Sequence, residues 1–464
     1  MPKILHKHYP TTKILFVLGE GIFVVASILL AMLIRFGPAF QIRVSSLSIW
    51  LKIALMASVC QLSLYYHDLY DLKVTDTYQE LGLRLVQSLG ISAIILAVTY
   101  YIFPFTMLGR GIFLISITFL VVFICSWRYL YSWVLKKRMF SEHIMLIGSG
   151  EIAENIVREI GLRRDSGYHI AAIFDNPAVV SSALLDGHQV FSNLDQIYEQ
   201  AAALSIRKIV VALDEKRGKF PSTELLRCKM EGIKVLDGIS FYEELAGKIL
   251  IERLRPSWLI FSDGFKKSYL TKFTKRLTGG LISLVGLTVA LPVSLLTAVL
   301  IKLDSPGPIF YSQTRCGEGD KLFVLHKFRT MTCDAEKGCG PVWATEDDPR
   351  ITRVGRIIRK LRIDEIPQMW NVLKGDMSFV GPRPERPEFV EQLKKEIPFY
   401  GERHNVKPGI TGWAQICHPY GACVEDAKEK LKYDLFYIKN MNAFFDLAII
   451  FQTLKIVLLG RGAR

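Results

Sequence analysis

Asp364 and Glu365 stand side by side at the end of a run of cations. Arg350, Arg353, Arg356, Arg359 and Arg362 recur at every third position, with Lys360 between them. On a helix that spacing draws a basic stripe that drifts slowly round one side. Pro367 follows closely, which predicts that the acid pair sits at or just beyond a helix end. Further cations lie on stiff segments: Lys327 and Arg329 in the strand-like "FVLHKFRTM", and Arg383 between two prolines in "GPRP". A solvated charged face is the plainest reading of such a run. Cations held on rigid elements around two adjacent carboxylates point instead to a site for a polyphosphate and a divalent metal. Guanidinium groups grip phosphate oxygens in pairs, and Mg²⁺ is commonly held by a carboxylate together with phosphate oxygens. A carboxylate there can itself attack phosphorus, giving an acyl phosphate that a second acceptor resolves.

The elements that must position this site belong to an apolar, basic chain. Of 464 residues half are hydrophobic, the mean hydropathy is +0.26 and the formal charge is +14. This combination fits a membrane protein with soluble parts that faces anionic lipid or phosphorylated substrates. The apolar segments weigh against nucleic acid as the partner. Eight cysteines occur without a Cys-x-x-Cys pair; Cys333/Cys339 and Cys417/Cys423 are each six apart. That spacing is poor for structural zinc, and reduced thiols facing the cytosol are expected.

Four apolar runs open the chain, at about Ile14–Ile34, Leu47–Tyr66, Leu85–Phe103 and Ile112–Leu135. Each is long enough for a helix across a hydrocarbon core of about 30 Å. Lys3, Lys7 and Lys13 precede the first run and Lys136, Lys137 and Arg138 follow the fourth, so both ends are expected to be cytoplasmic. Glu20 and Lys52, the awkward residues within these runs, are expected to face another helix or reach the interface. From His143 strands alternate with helices, which predicts a parallel α/β segment up to about Arg255. Gly148-x-Gly150-x-x-Ala153 follows its first strand and Asp175 ends its second. The pattern has the form of a dinucleotide-binding turn. It makes a membrane-anchored, NAD-dependent nucleotide-sugar epimerase or dehydratase the rival reading, although the Tyr-x-x-x-Lys pair such an enzyme wants is missing from this segment onward. A non-enzymatic assembly scaffold is a third.

A fifth apolar stretch, Leu281–Leu303, carries Pro292 at its centre and basic residues on both sides: Lys266, Lys267, Lys272, Lys275 and Arg276 before it, Lys302, Arg315, Lys321, Lys327 and Arg329 after it. Proline breaks or kinks a helix, and a crossing would put one basic set outside the cell. A re-entrant helix over 278–303 that bends at Pro292 and returns to the cytoplasmic side satisfies both. An ordinary fifth span is the competing reading. The C-terminal "DLFYIKNMNAFFDLAIIFQTLKIVLL" reads either as an interfacial amphipathic helix or as a core helix.

"KFRTM", "RIDEIPQMWNVLKGDMSFVGPRPE" and the closing "GRGA" resemble the bacterial sugar transferases, the monotopic phosphoglycosyl transferases. The whole chain resembles their large form, and "YYHDLYDL" and "GRGIF" resemble the branch associated with exosortase and exopolysaccharide clusters. The likeness is long and specific over about 265–464 and rests mostly on architecture before that. It implies four transmembrane helices over 1–138, a Rossmann-like cytoplasmic domain over 139–256 and a transferase domain over 257–464, in a bacterial inner-membrane protein. It implies transfer of a sugar 1-phosphate from a UDP-sugar to undecaprenyl phosphate with release of UMP, the initiating step of exopolysaccharide or O-antigen synthesis. By the family's pattern Asp364 is the nucleophile and Glu365 helps hold Mg²⁺, with Asp364 a second metal contact. Lys327, Arg359 and Arg383 fall on the phosphate-binding cations, and Pro292 on the proline of the re-entrant helix. Arg329 and Arg362 are added from the charge pattern alone. A homodimer is expected from the resemblance, and the sugar is left open.

Overall fold

The computed structural model describes residues 3–4, 7–8, 11–70, 78–136, 141–162, 166–175, 188–213, 220–253, 262, 264–265, 267–332, 335, 348–418 and 423–458. Lys137, Arg138, Lys266, the pair Cys333/Cys339 and the closing Gly460–Ala463 lie outside them. The chain divides into two compact units, one from His8 to Phe241 and one from Tyr242 onward.

In the first unit, α1 (Thr11–Phe36), α2 (Leu47–Tyr66), α3 (Tyr78–Ile102) and α4 (Arg110–Lys136) fall on the four apolar runs. All four contain a stretch long and apolar enough to cross a bilayer. Their apolar side chains divide between two surroundings. Phe16, Ile28, Met56, Leu64, Leu96 and Ile124 pack into one buried cluster, whereas Leu18, Ile22, Leu51, Ile94 and Leu114 are exposed. A helix that is apolar on both faces suits lipid rather than water. Glu20, 0% exposed, pairs with Arg128 of α4 at 2.8 Å, so it faces another helix as expected. A buried charge is tolerable there because it is paired. Lys52 reaches the Met107 carbonyl just before α4.

The same unit holds a parallel five-stranded sheet in the order β3-β2-β1-β4-β5. Its strands are β1 (Glu142–Ile147), β2 (Tyr168–Phe174), β3 (Gln189–Phe191), β4 (Lys208–Val211) and β5 (Lys234–Asp237). Helices α5 (Glu151–Leu162), α6 (Ile197–Ala203) and α7 (Ser222–Met230) lie between successive strands. The near-continuous apolar runs of β1 and β4 are those of strands buried on both faces. Sequence reading missed β3, whose three residues are too few to show a period.

The second unit is organised on α8 (Tyr269–Asp304), 36 residues long. Ser268 caps it by accepting a bond from Thr271 N, so the helix begins nine residues before the expected 278. Of the kink or break expected at Pro292, the break needs correction: the helix continues through the proline. Proline deletes one N–H and frees one carbonyl, while the bonds on either side persist where no water competes for them. Any reversal of direction is therefore a bend within a helix. Both ends of α8 dock on the same polar body. Near its start, Lys275 donates to Asp446 Oδ2 at 2.7 Å and to the Val380 carbonyl at 2.8 Å, and Arg276 donates to the Val372 and Leu373 carbonyls. Near its end, Ile301 packs on Phe328 and Ile358, and Asp304 accepts from Val354 N. Between them Leu284, Val289, Leu296 and Val299 are exposed.

The polar body follows. An antiparallel hairpin of β6 (Phe310–Cys316) and β7 (Leu322–Phe328) precedes α9 (Arg353–Lys360) and α10 (Gln368–Lys374). The short strands β8 (Ser378–Val380) and β9 (Gly409–Thr411) pair in parallel. After α11 (Pro387–Glu396), α12 (Trp413–Cys417), α13 (Val424–Asn440) and α14 (Ala443–Leu458) close the unit. The two readings of the C-terminus divide within α14: Phe445 and Ile449 are core, Phe444, Leu447 and Leu454 are exposed.

Candidate active site

Helix α9 starts at Thr352, whose hydroxyl accepts from Gly355 N at 3.0 Å. Gly355 lies so close to the Thr330 carbonyl that a Cβ there would collide with it. The helix stops when Arg362 adopts a left-handed backbone, φ +57°. This conformation is uncommon for a residue with a side chain, and here it reverses the chain into a single 3₁₀ turn, Ile363–Glu365. That turn carries both acids inward, leaving Asp364 7% and Glu365 8% exposed.

Three elements converge on the pair. β7 contributes Lys327, whose Nζ lies 3.3 Å from Glu365 Oε1 and 3.8 Å from Asp364 Oδ2. The Gly-Pro-Arg-Pro turn contributes Arg383, which donates to Glu365 Oε1 at 2.8 Å. Arg362 reaches the same oxygen at 3.7 Å. The consequence is an electrostatic split between neighbours. Burial opposes ionisation of Glu365, but Arg383, Lys327 and Arg362 outweigh it and hold this carboxyl well below the usual range. Burial pushes Asp364 the other way, with the Glu365 charge adding to it and Lys327 only partly compensating. The result is one permanently charged acid beside one poised acid.

The basic stripe does not act as one surface. Arg359, half-buried, is near enough to favour the charged form of Asp364, while Arg353, Arg356 and Lys360 are exposed and Arg350 donates to Asp348 Oδ1 at 2.8 Å. Arg329 is a correction. Expected among the phosphate-binding cations, it is buried one residue past β7 and donates to the Ser305 and Pro306 carbonyls at 2.8 and 2.7 Å. It satisfies the carbonyl end of α8, where a cation also suits the helix dipole.

Two positioning residues escaped sequence reading. Asn371 is fully buried, donates to the Val324 carbonyl at 2.7 Å and accepts from His326 N at 3.1 Å, which ties α10 to the strand that bears Lys327. Arg403 donates to the Arg383 carbonyl at 2.9 Å and to Asp434 Oδ2 at 3.0 Å, while Arg315 donates to the Pro384 carbonyl at 3.1 Å. The Pro-Arg-Pro turn is thus gripped by two arginines from behind. No local pattern marks these residues, because their partners are 20 to 69 positions away. Asn371→Leu, similar in volume, is expected to destabilise the protein by about 2 kcal/mol and to slow turnover by loosening Lys327. Thermal unfolding in detergent and an initial-rate assay check both effects.

Among the described residues no three His, Cys, Asp or Glu side chains gather around a metal position. The acid pair nonetheless fits Mg²⁺, which ordinarily takes one or two protein carboxylates and completes its shell with phosphate oxygens and water. The three cations all contact Glu365 through Oε1, so Oε2 can turn to a metal.

Gly148, Gly150 and Asp175 belong to the other unit. Gly148 has φ +108°, and a Cβ there would lie 2.7 Å from the Ala212 carbonyl oxygen, so strand packing alone requires glycine. Asp175 accepts from Ser149 Oγ at 2.7 Å, and Glu151 and Glu154 occupy the first turn of α5. The helix end where a dinucleotide's pyrophosphate would lie is therefore already acidic.

Residues 270–460 match the family model described as bacterial sugar transferase, a range that holds the dyad and every cation around it. Relatives agree. The exopolysaccharide production protein PSS of Rhizobium leguminosarum bv. phaseoli is 41% identical over 179 residues, 37% of this chain and 88% of that protein. The chain is a bacterial sugar transferase. This transferase is also 45% identical over 240 residues, 52% of its length, to the UDP-N-acetylgalactosamine-undecaprenyl-phosphate N-acetylgalactosaminephosphotransferase of Aeromonas hydrophila. It is 31% identical over 349 residues, 73% of its length, to the undecaprenyl-phosphate glucose phosphotransferase of Komagataeibacter xylinus. The matches span 56% and 63% of those two proteins. Residues 66–219 of the transferase match a model described as a CoA-binding domain.

Proposed function

We propose that this transferase moves a sugar 1-phosphate from a UDP-sugar to undecaprenyl phosphate, releasing UMP. The observation that carries the reading is the split dyad: a buried, poised Asp364 next to a Glu365 fixed as an anion by Lys327, Arg383 and Arg362. In the first half-reaction a carboxylate oxygen of Asp364 attacks the β-phosphorus, and the bond from that phosphorus to the bridging oxygen breaks. The electron pair leaves with UMP, and the sugar phosphate remains on Asp364 as an acyl phosphate. In the second, an oxygen of undecaprenyl phosphate attacks the same phosphorus and the aspartyl oxygen departs, which restores the carboxylate. Lys327, Arg359, Arg362 and Arg383 neutralise charge that builds on the phosphoryl oxygens. Mg²⁺, held by Glu365 and Asp364, would add Lewis-acid stabilisation of that charge.

The same reading gives α8 a re-entrant course, with both ends on the cytoplasmic face of the inner membrane, α1–α4 spanning it, and two copies forming a homodimer. Support comes from the docking of residues 275–276 and of 301 and 304 on one polar body, which a straight helix of about 54 Å across a bilayer would keep apart. The decisive experiment incubates the full-length protein with a UDP-sugar and Mg²⁺ but without lipid acceptor. Mass spectrometry is expected to find a sugar-phosphate adduct on the peptide containing Asp364 and one equivalent of UMP in solution. UMP release that requires the acceptor, with no adduct at any time, would overturn the two-step reading.

A further inference from the structure

Arg383 has a second neighbourhood. Besides meeting Glu365, it lines a cleft whose walls include Leu393, Tyr400, Ala414, Gln415 and His418. The cleft wall shares Arg403 and Asp434 with the grip on the Pro-Arg-Pro turn, but neither acid of the pair lines it. Leu393, Ala414 and the Tyr400 ring give it apolar and aromatic surface among the charged groups of Glu385, Arg403, Lys430 and Asp434, and the Gln415 amide offers a neutral donor and acceptor between them. Gln415 Oε1 is a buried acceptor without a donor, while its Nε2 makes only a long 3.4 Å contact with the Ile410 carbonyl. A buried acceptor left unmatched is unfavourable. The terminal torsion of glutamine is soft, so a small rotation presents a donor and an acceptor side by side to the cleft. His418 beside it is steadied by Asp426, 3.1 Å away.

We propose that this cleft receives the nucleobase of the donor nucleotide, with Gln415 pairing to uracil: Oε1 accepting from N3–H and Nε2 donating to O4. The inference rests on the transferase reading above and adds to it the place where the leaving nucleotide is read. In an in-line displacement the leaving group departs on the side of phosphorus opposite the nucleophile. Arg383 stands at the boundary between acids and cleft, so a UMP that departs past Arg383 enters the cleft with its base foremost. The sugar stays on the Asp364 side of that boundary.

The test uses the full-length protein in nanodiscs and reads UMP as a product inhibitor against N3-methyl-UMP, which lacks the donor. Wild-type protein is expected to bind N3-methyl-UMP at least about tenfold more weakly than UMP, as a site that hydrogen-bonds its ligand rejects an analogue without the matching group. Gln415→Leu is expected to weaken UMP by a similar factor and to abolish the discrimination. Equal inhibition of wild-type protein by the two nucleotides overturns the proposal and requires no variant. A Gln415→Leu protein that keeps wild-type UMP inhibition while losing affinity for the UDP-sugar also overturns it, and places the hexose in the cleft. The Asp364 adduct is scored separately: an adduct with no base discrimination sinks this inference alone, whereas base discrimination without an adduct sinks the two-step reading.

Discussion

Asp364→Asn is expected to abolish UMP release, by about 10⁴-fold or more, as loss of a covalent nucleophile does in enzymes where it has been removed singly. The adduct on its peptide should vanish with the activity. The same substitution is expected to stabilise the metal-free protein. Burial raises the Asp364 carboxyl above its ordinary value, with the Glu365 charge adding to the effect. An acid whose folded pKa is raised prefers to be neutral in the fold, so its charge at neutral pH detracts from stability. Asparagine keeps the shape and removes that charge. The midpoint of thermal unfolding should therefore rise, by a few degrees for about 1 kcal/mol. The pH profile follows from the same shift: attack requires the carboxylate, so the rate of adduct formation should fall on acidification at a pH above the usual aspartate range. A variant that loses activity and also unfolds earlier would show that Asp364 supports the fold rather than poises the reaction.

Glu365→Gln should behave oppositely. Its carboxylate balances Lys327, Arg362 and Arg383 on a single oxygen, and removing one partner of a buried ionic cluster costs about 3–5 kcal/mol. Glu365 is held below its ordinary pKa, so its stabilising contribution is complete above the unfolded-state pKa and is lost as pH falls through the folded value. The difference between wild type and Glu365→Gln is thus expected to be large at neutral pH and to narrow in strong acid. Activity should fall with a weakened response to Mg²⁺. Chemical denaturation over a pH series, with Mg²⁺ titrated in the adduct assay, measures both. Two adjacent acids with stability effects of opposite sign are the signature to seek, and similar destabilisation by both substitutions would contradict the split.

Much of this was legible before any coordinate. Four apolar runs gave α1–α4 because hydrocarbon thickness sets helix length, and alternation of strands with helices gave the parallel sheet. The candidate site was legible in Asp364, Glu365 and the cations near them, since residue type sets which groups are able to grip phosphate or attack phosphorus. Pro367 even placed the acids just beyond a helix end, where the 3₁₀ turn holds them. Tertiary structure alone decided which cations meet the acids. Arg329 and Lys327 lie two positions apart, yet only Lys327 meets the acids, while Arg329 closes the end of α8. Lys275 and Arg276, read as a charged membrane flank, are engaged with Asp446 and with the last carbonyls of α10. Asn371 and Arg403 carry no sequence signal because each gains its role from backbone carbonyls brought to it from afar. The division has one physical cause: composition and period act locally along the chain, whereas the state of a charge depends on what folding places within a few ångströms of it.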